Sequence, residues 1–153
     1  MSIFISIASY QDPLLASTIK SACMKASAEQ DLVFGVCDQS SSPIDASSLS
    51  KKAKIHYEHI DPILSKGPCW ARNRLQSFYQ GEDYFLQIDS HTQFDKDWDV
   101  ILMGQLRSLQ GLSSEPYFSK PIITAYPRSF EVISIKDEEF KLNSTDDLVY
   151  SIA

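Results

Sequence analysis

Four short runs of β-forming residues punctuate the chain: Ile3–Ser9 (IFISIAS), Leu32–Cys37 (LVFGVC), Lys54–Ile60 (KIHYEHI) and Tyr84–Asp89 (YFLQID). Each is rich in the branched and aromatic side chains that suit a pleated sheet. Between the first two, Leu15, Ile19, Ala22 and Ala26 fall on one face of an α-helix. Asp12 stands before it in N-cap position, with Pro13 at the first helical position. Gln39–Ser50, rich in serine and holding Pro43, reads as a surface loop. Ser65-Lys66-Gly67-Pro68 then breaks the chain and opens a helix carrying Trp70, Leu75 and Phe78, which Gly81-Glu82-Asp83 ends. Strands separated by helices must cross over to pair, so this order predicts an α/β fold with a mainly parallel sheet flanked by helices.

Farther on, Trp98, Ile101, Leu102, Gln105 and Leu109 mark another amphipathic helix, and Pro121–Tyr126 (PIITAY) reads as a fifth strand. From Lys136 onward the chain turns acidic and polar. No internal repeat or linker divides it, so residues 1–153 are expected to form a single domain.

Charge and composition exclude several function classes. A net charge of −6 argues against a nucleic-acid partner, which calls for a basic excess. The one basic knot, Lys51, Lys52 and Lys54, sits among serines and reads as a solvated loop. No apolar window is long enough to span a membrane, and the N-terminus lacks the basic start of a signal peptide. Cys23, Cys37 and Cys69 are an odd count at wide spacings, which favours a reducing, cytoplasmic setting over a disulfide framework.

In open α/β sheets, ligands bind outside the carboxyl ends of the strands. Ser9 and Asp12 follow the first strand, Asp38 the second, and Asp89-Ser90-His91 the fourth. Carboxylates there would repel a bare phosphate, but they suit one held through a divalent cation. Asp89 and His91, one residue apart, are placed to share one ion, and carboxylate plus imidazole favours Mn²⁺ or another transition ion over Ca²⁺. Spacing alone more readily gives Asp89 as a solvated or capping carboxylate and His91 as a surface or satisfied histidine. His56 and His59 lie on opposite faces of a predicted strand and read as structural. The chain has no G-x-G-x-x-G turn, no Walker loop and no G-x-S-x-G elbow. Cys69 opens a helix, but no histidine beside it points to a catalytic thiol.

The runs IFISIASYQDP, FGVCDQ, GPCWARNR, YFLQIDSHTQFDKDWD and KPIITAYP occur in order over about four-fifths of the chain. Together they resemble the GlcNAc-transferase family related to the cytoplasmic protein-hydroxyproline N-acetylglucosaminyltransferase. The Asp-Ser-His triplet also resembles the metal site of the polypeptide N-acetylgalactosaminyltransferases. The resemblance implies a GT-A fold, a Rossmann-like nucleotide-diphospho-sugar transferase, with UDP-GlcNAc as the donor. It implies Asp89-Ser90-His91 as a variant of the Asp-x-Asp motif, in which Asp89 and His91 hold Mn²⁺ against the donor diphosphate. Ser9, Tyr10 and Asp12 would lie near the uridine, Asp38 would contact the nucleotide, and Arg72 would pair with phosphate or steady an acidic neighbour. Trp70 reads as a core anchor.

GT-A families generally continue well past this length, with acceptor-binding segments and a further metal ligand. The chain is therefore expected to be a truncated, donor-binding portion, acting on a hydroxyl acceptor such as a protein hydroxyproline when complete. Two rivals stand beside that reading. One is a non-catalytic remnant that holds a nucleotide sugar or a protein, and the other is a metal-dependent hydrolase of nucleotide sugars.

Overall fold

The four apolar runs all form strands: β1 (Ser2–Tyr10), β2 (Asp31–Gln39), β3 (Lys54–Ile60) and β4 (Tyr84–Asp89). They pair in parallel, in the order β3-β2-β1-β4. Helix α1 (Leu15–Lys25) connects β1 to β2, and α2 (Pro68–Gln76) lies between β3 and β4. This is the predicted parallel sheet with helical crossovers. The computed structural model describes residues 1–27, 29–111, 120–135 and 139–142. The chain divides into two units, Met1–Lys96 and Asp97–Ala153.

In the first unit, β1 is hydrogen-bonded on both sides, and six of its nine residues are buried. Ile3, Phe4, Ile5 and Ile7 are fully buried, each contributing about 1.5–3 kcal/mol of apolar burial. Residues two apart share a face, so β1 sends Ile3, Ile5, Ile7 and Ser9 to one side and Phe4, Ser6 and Ala8 to the other. On the second side Ala71 and Leu75 of α2 pack with Cys37, bordered by Ala8, Ile60, Trp70 and Phe78. Trp70 thus anchors the core in part, and Lys66 and Arg74 approach its ring. Gly35 lies under the ring of Phe4, where a Cβ would come within 2.5 Å of the ring carbon Cζ.

Leu15, Ile19 and Ala22 are the buried apolar face of α1, as the spacing predicts. The helix begins later than expected. Pro13 and Leu14 form a turn before Leu15, and Asp12 caps that turn, its Oδ1 accepting from Leu14 N at 2.9 Å. Regular α2 stops at Gln76, so Phe78 lies in the turn beyond it rather than in the helix.

The second unit holds α3 (Trp98–Gly111) and an antiparallel pair, β5 (Phe130–Ser134) and β6 (Glu139–Leu142). The buried stripe of α3 runs through Trp98 and Met103, with Leu102, Leu106 and Leu109 half-buried; Ile101 and Gln105 face solvent instead. The fifth strand expected at Pro121–Tyr126 does not form. That stretch has no ladder partner among the described residues, Ile122 and Tyr126 are exposed, and Pro121 has no N–H to donate. The strand lies farther on, at β5, where Phe130 meets Phe140 of β6 edge to face at 5.4 Å. Among the described residues no helix is long and apolar enough to cross a membrane.

Candidate functional site

The carboxyl ends of β1, β2 and β4 bring the predicted residues to one edge of the sheet, but strand alternation distributes their side chains. Ser9 pairs in register with Asp38, and Ala8 with Asp89, so Asp38 and Asp89 point to opposite faces. Asp38 is 2% exposed, and its Oδ2 accepts from the Tyr57 hydroxyl at 2.6 Å. The same Tyr57 oxygen accepts from Ile44 N at 3.1 Å, tying down the loop after β2. Burial and the Asp38 carboxylate raise the Tyr57 pKa, so this hydroxyl stays a donor. Ser9 is buried, and its Oγ has no hydrogen-bond partner among the described residues. Tyr10 is exposed at the strand end.

Asp89 and His91 both project into solvent, with side chains 66% and 61% exposed. On the α2 side, Arg72 Nη2 donates to Asp89 Oδ1 at 3.3 Å, so Arg72 steadies an acidic neighbour, one of its two expected roles. The Arg72 Nε is buried without a partner among the described residues.

On the other side Asp12, expected beside a nucleoside, is bound up with the triplet itself. Its Oδ2 accepts from Ser90 Oγ at 2.6 Å and stands 2.8 Å from His91 Nδ1. Burial works against this carboxylate, yet the hydrogen bonds from Ser90, His91 and Leu14 outweigh it and hold its pKa below the ordinary 3.8.

The triplet is also clamped from below by a polar stripe on α1 that sequence spacing did not single out. Thr18 Oγ1 donates to Ser90 O at 2.7 Å and accepts from Thr92 N at 3.0 Å. Ser17 Oγ meets Gln93 Nε2 at 3.1 Å, and Ser21 Oγ accepts from Phe94 N at 3.0 Å. Serines and a threonine interleaved with Leu15 and Ile19 were the available signal, masked by the stronger apolar periodicity.

Beside the triplet's sheet edge lies a cavity of about 450 Å³, lined by Ser9, Tyr10, Gln39, Pro62, Ser65, Gly67 and Pro68. Gln39, also missed from sequence, organises it: buried Nε2 donates to Ser9 O at 3.0 Å, while Oε1 accepts from Ser65 Oγ at 2.6 Å. Gly67 at φ 90° caps α2 with a backbone that disfavours a side chain, and it offers no side-chain cap to that helix.

A cation shared by Asp89 and His91 fits the donor chemistry, since a carboxylate oxygen and an imidazole nitrogen leave one turn on exposed side chains. Among the described residues, no third His, Cys, Asp or Glu joins them to complete a cluster. Two protein ligands suffice for a cation whose remaining positions are filled by water and substrate phosphates. His59 bonds Ser40 O at 2.7 Å and His56 stacks on Phe78, the structural roles expected of them.

Residues 2–54 and 43–150 match the family model Glycosyltransferase (GlcNAc). The chain belongs to this family. Its fold is similar to the crystal structure of residues 1–349 of TarS from S. aureus, with a TM-score of 0.55 and 18% identity. The likeness covers 72% of this chain and 33% of the TarS chain, so this chain spans about a third of that structure's length. No curated protein matches it. The GlcNAc-family sheet is thus the expected GT-A-like α/β fold, with the Asp-Ser-His triplet at the carboxyl end of β4.

Proposed function

We propose that this chain is the donor-binding part of a metal-dependent transferase that moves GlcNAc from UDP-GlcNAc to a hydroxyl acceptor such as a protein hydroxyproline. The observation that carries the reading is the Asp89-Ser90-His91 turn, held by α1 at the sheet edge that also bears the cavity of about 450 Å³. Loosening a bond to a nucleoside diphosphate builds negative charge on the leaving oxygens. A divalent cation, when bound, offsets that charge as a Lewis acid. Asp89 and His91 would hold it. Arg72, already beside Asp89, supplies a fixed positive charge for the same diphosphate. The cavity, with exposed Tyr10 and buried Gln39 in its lining, would take the nucleoside. The three free thiols, Cys23, Cys37 and Cys69, support a cytoplasmic setting.

Calorimetric titration of UDP, with Mn²⁺ and then with chelator, tests the reading. We expect measurable affinity with the ion and a large loss without it. Asp89→Asn and His91→Ala should each weaken Mn²⁺-dependent binding by about 10–100-fold, and the double variant should add little, because ligands of one ion act as a unit. Equal UDP affinity in chelator would remove the metal from the proposal. Labelled UDP-GlcNAc, Mn²⁺ and a hydroxyproline peptide then separate transfer from binding alone, and free sugar without acceptor would mark a hydrolase.

A further inference from the structure

We infer that Asp12 is a positioning residue for the metal site: its carboxylate fixes the tautomer of His91, leaving Nε2 as the ring nitrogen with a lone pair for the cation. The inference deepens the proposed function and rests on its assignment of Asp89 and His91.

Asp12 lies 79 residues from His91 in sequence, and folding brings its Oδ2 to 2.8 Å from Nδ1. Its other contacts leave it no choice of role. Oδ1 accepts from Leu14 N and Oδ2 from Ser90 Oγ, so the group stands among donors as an ionised carboxylate, which can only accept. The ring nitrogen facing it must therefore carry the hydrogen. In the neutral ring that leaves Nε2 bare, the state an imidazole needs in order to ligate a metal. Ligating histidines commonly hand their second nitrogen to a carboxylate in this way, which fixes the ring and raises its basicity.

The arrangement is also rigid. Ser90 is buried, and its carbonyl is held by Thr18, whose hydroxyl also accepts from Thr92 N. The backbone on both sides of His91 is thus fixed from α1 while Asp12 fixes the ring. Ring and backbone have separate anchors.

The test reads the tautomer directly in the metal-free, 153-residue chain carrying isotope-labelled histidine. Long-range proton–nitrogen correlation spectra distinguish the two neutral forms, and His91→Ala identifies the His91 signals among the three histidines. The wild type should show Nδ1 protonated and Nε2 bare. In Asp12→Asn, the carbonyl oxygen can still accept from Leu14 N, while the new NH₂ faces the ring and asks Nδ1 to accept. His91 should then carry its hydrogen on Nε2. Mn²⁺-dependent UDP affinity should fall about 10–100-fold.

A wild-type spectrum with bare Nδ1 overturns the inference whatever the variants do, so it does not depend on Asp12→Asn folding. If His91→Ala weakens Mn²⁺-dependent binding and folded Asp12→Asn does not, the positioning role fails while the metal assignment stands. If His91→Ala has no effect, the metal assignment fails and takes this inference with it.

Discussion

Tyr57 and Asp38 show how single side chains near the site are committed to structure. The Tyr57 hydroxyl donates to a nearly sealed carboxylate and accepts from Ile44 N. Tyr57→Phe strips both, leaving the Asp38 carboxylate short of a donor. It should cost about 1–3 kcal/mol in urea denaturation, and an unchanged midpoint would contradict the pairing. Gly35→Ala should cost a similar amount, about 1–3 kcal/mol, because its Cβ meets the buried Phe4 ring. Cysteine chemistry separates the thiols. Burial, aided by the Glu58 carboxylate, pushes Cys37 up to about 11, while Cys69 is exposed. Iodoacetamide at pH 8 should modify Cys69 in the folded chain and spare Cys37, as peptide mapping would show. At this scale the residue types were legible and their partners were not. Asp12, Asp38 and Asp89 stand out as carboxylates after strands. That one meets His91, one Tyr57 and one Arg72 depends on pairings 79, 19 and 17 positions apart.

Helix α1 carries two stripes, and only one was readable. Leu15, Ile19 and Ala22 announce themselves by period, and they are buried as expected. Ser17, Thr18 and Ser21, which no apolar period singles out, are buried too, because the segment after β4 lies over them with backbone groups to satisfy. Thr18→Val should therefore destabilise by about 1–3 kcal/mol, since it leaves the Ser90 carbonyl and the Thr92 amide without their partner. It should also weaken Mn²⁺-dependent UDP binding, whereas Thr18→Ser, which keeps the hydroxyl, should restore most of it. Calorimetry on the two variants checks this. The failed strand at Pro121–Tyr126 teaches the converse. Its residues have β propensity, but a strand exists only where a partner offers its edge. Phe130–Ser134 found one in Glu139–Leu142.

Across the whole molecule, the parallel sheet was legible because alternating strands and helices admit few arrangements. Charge is distributed so that acid undoes it. Arg74 holds Glu58 through Nε at 2.9 Å and through a second bond from Nη2, and this pulls Glu58 below its ordinary 4.5. Asp12 is depressed as well. Carboxylates lowered in the folded state lend stability above their unfolded pKa values, and it is lost as pH falls through the folded ones. The urea midpoint should therefore stay level from neutrality to about pH 5 and fall below it, less steeply in Arg74→Gln. The central place of β1 has a consequence for synthesis. This strand precedes both its neighbours, gains β2 about one helix later, and meets β4 only when Tyr84 arrives to pair with Ile3. At roughly 5–20 residues per second, the β4-facing edge of a ribosome-bound chain stays bare for about 4–16 seconds. For that interval IFISI presents an unpaired apolar strand edge, the kind of surface that chaperones cover during synthesis.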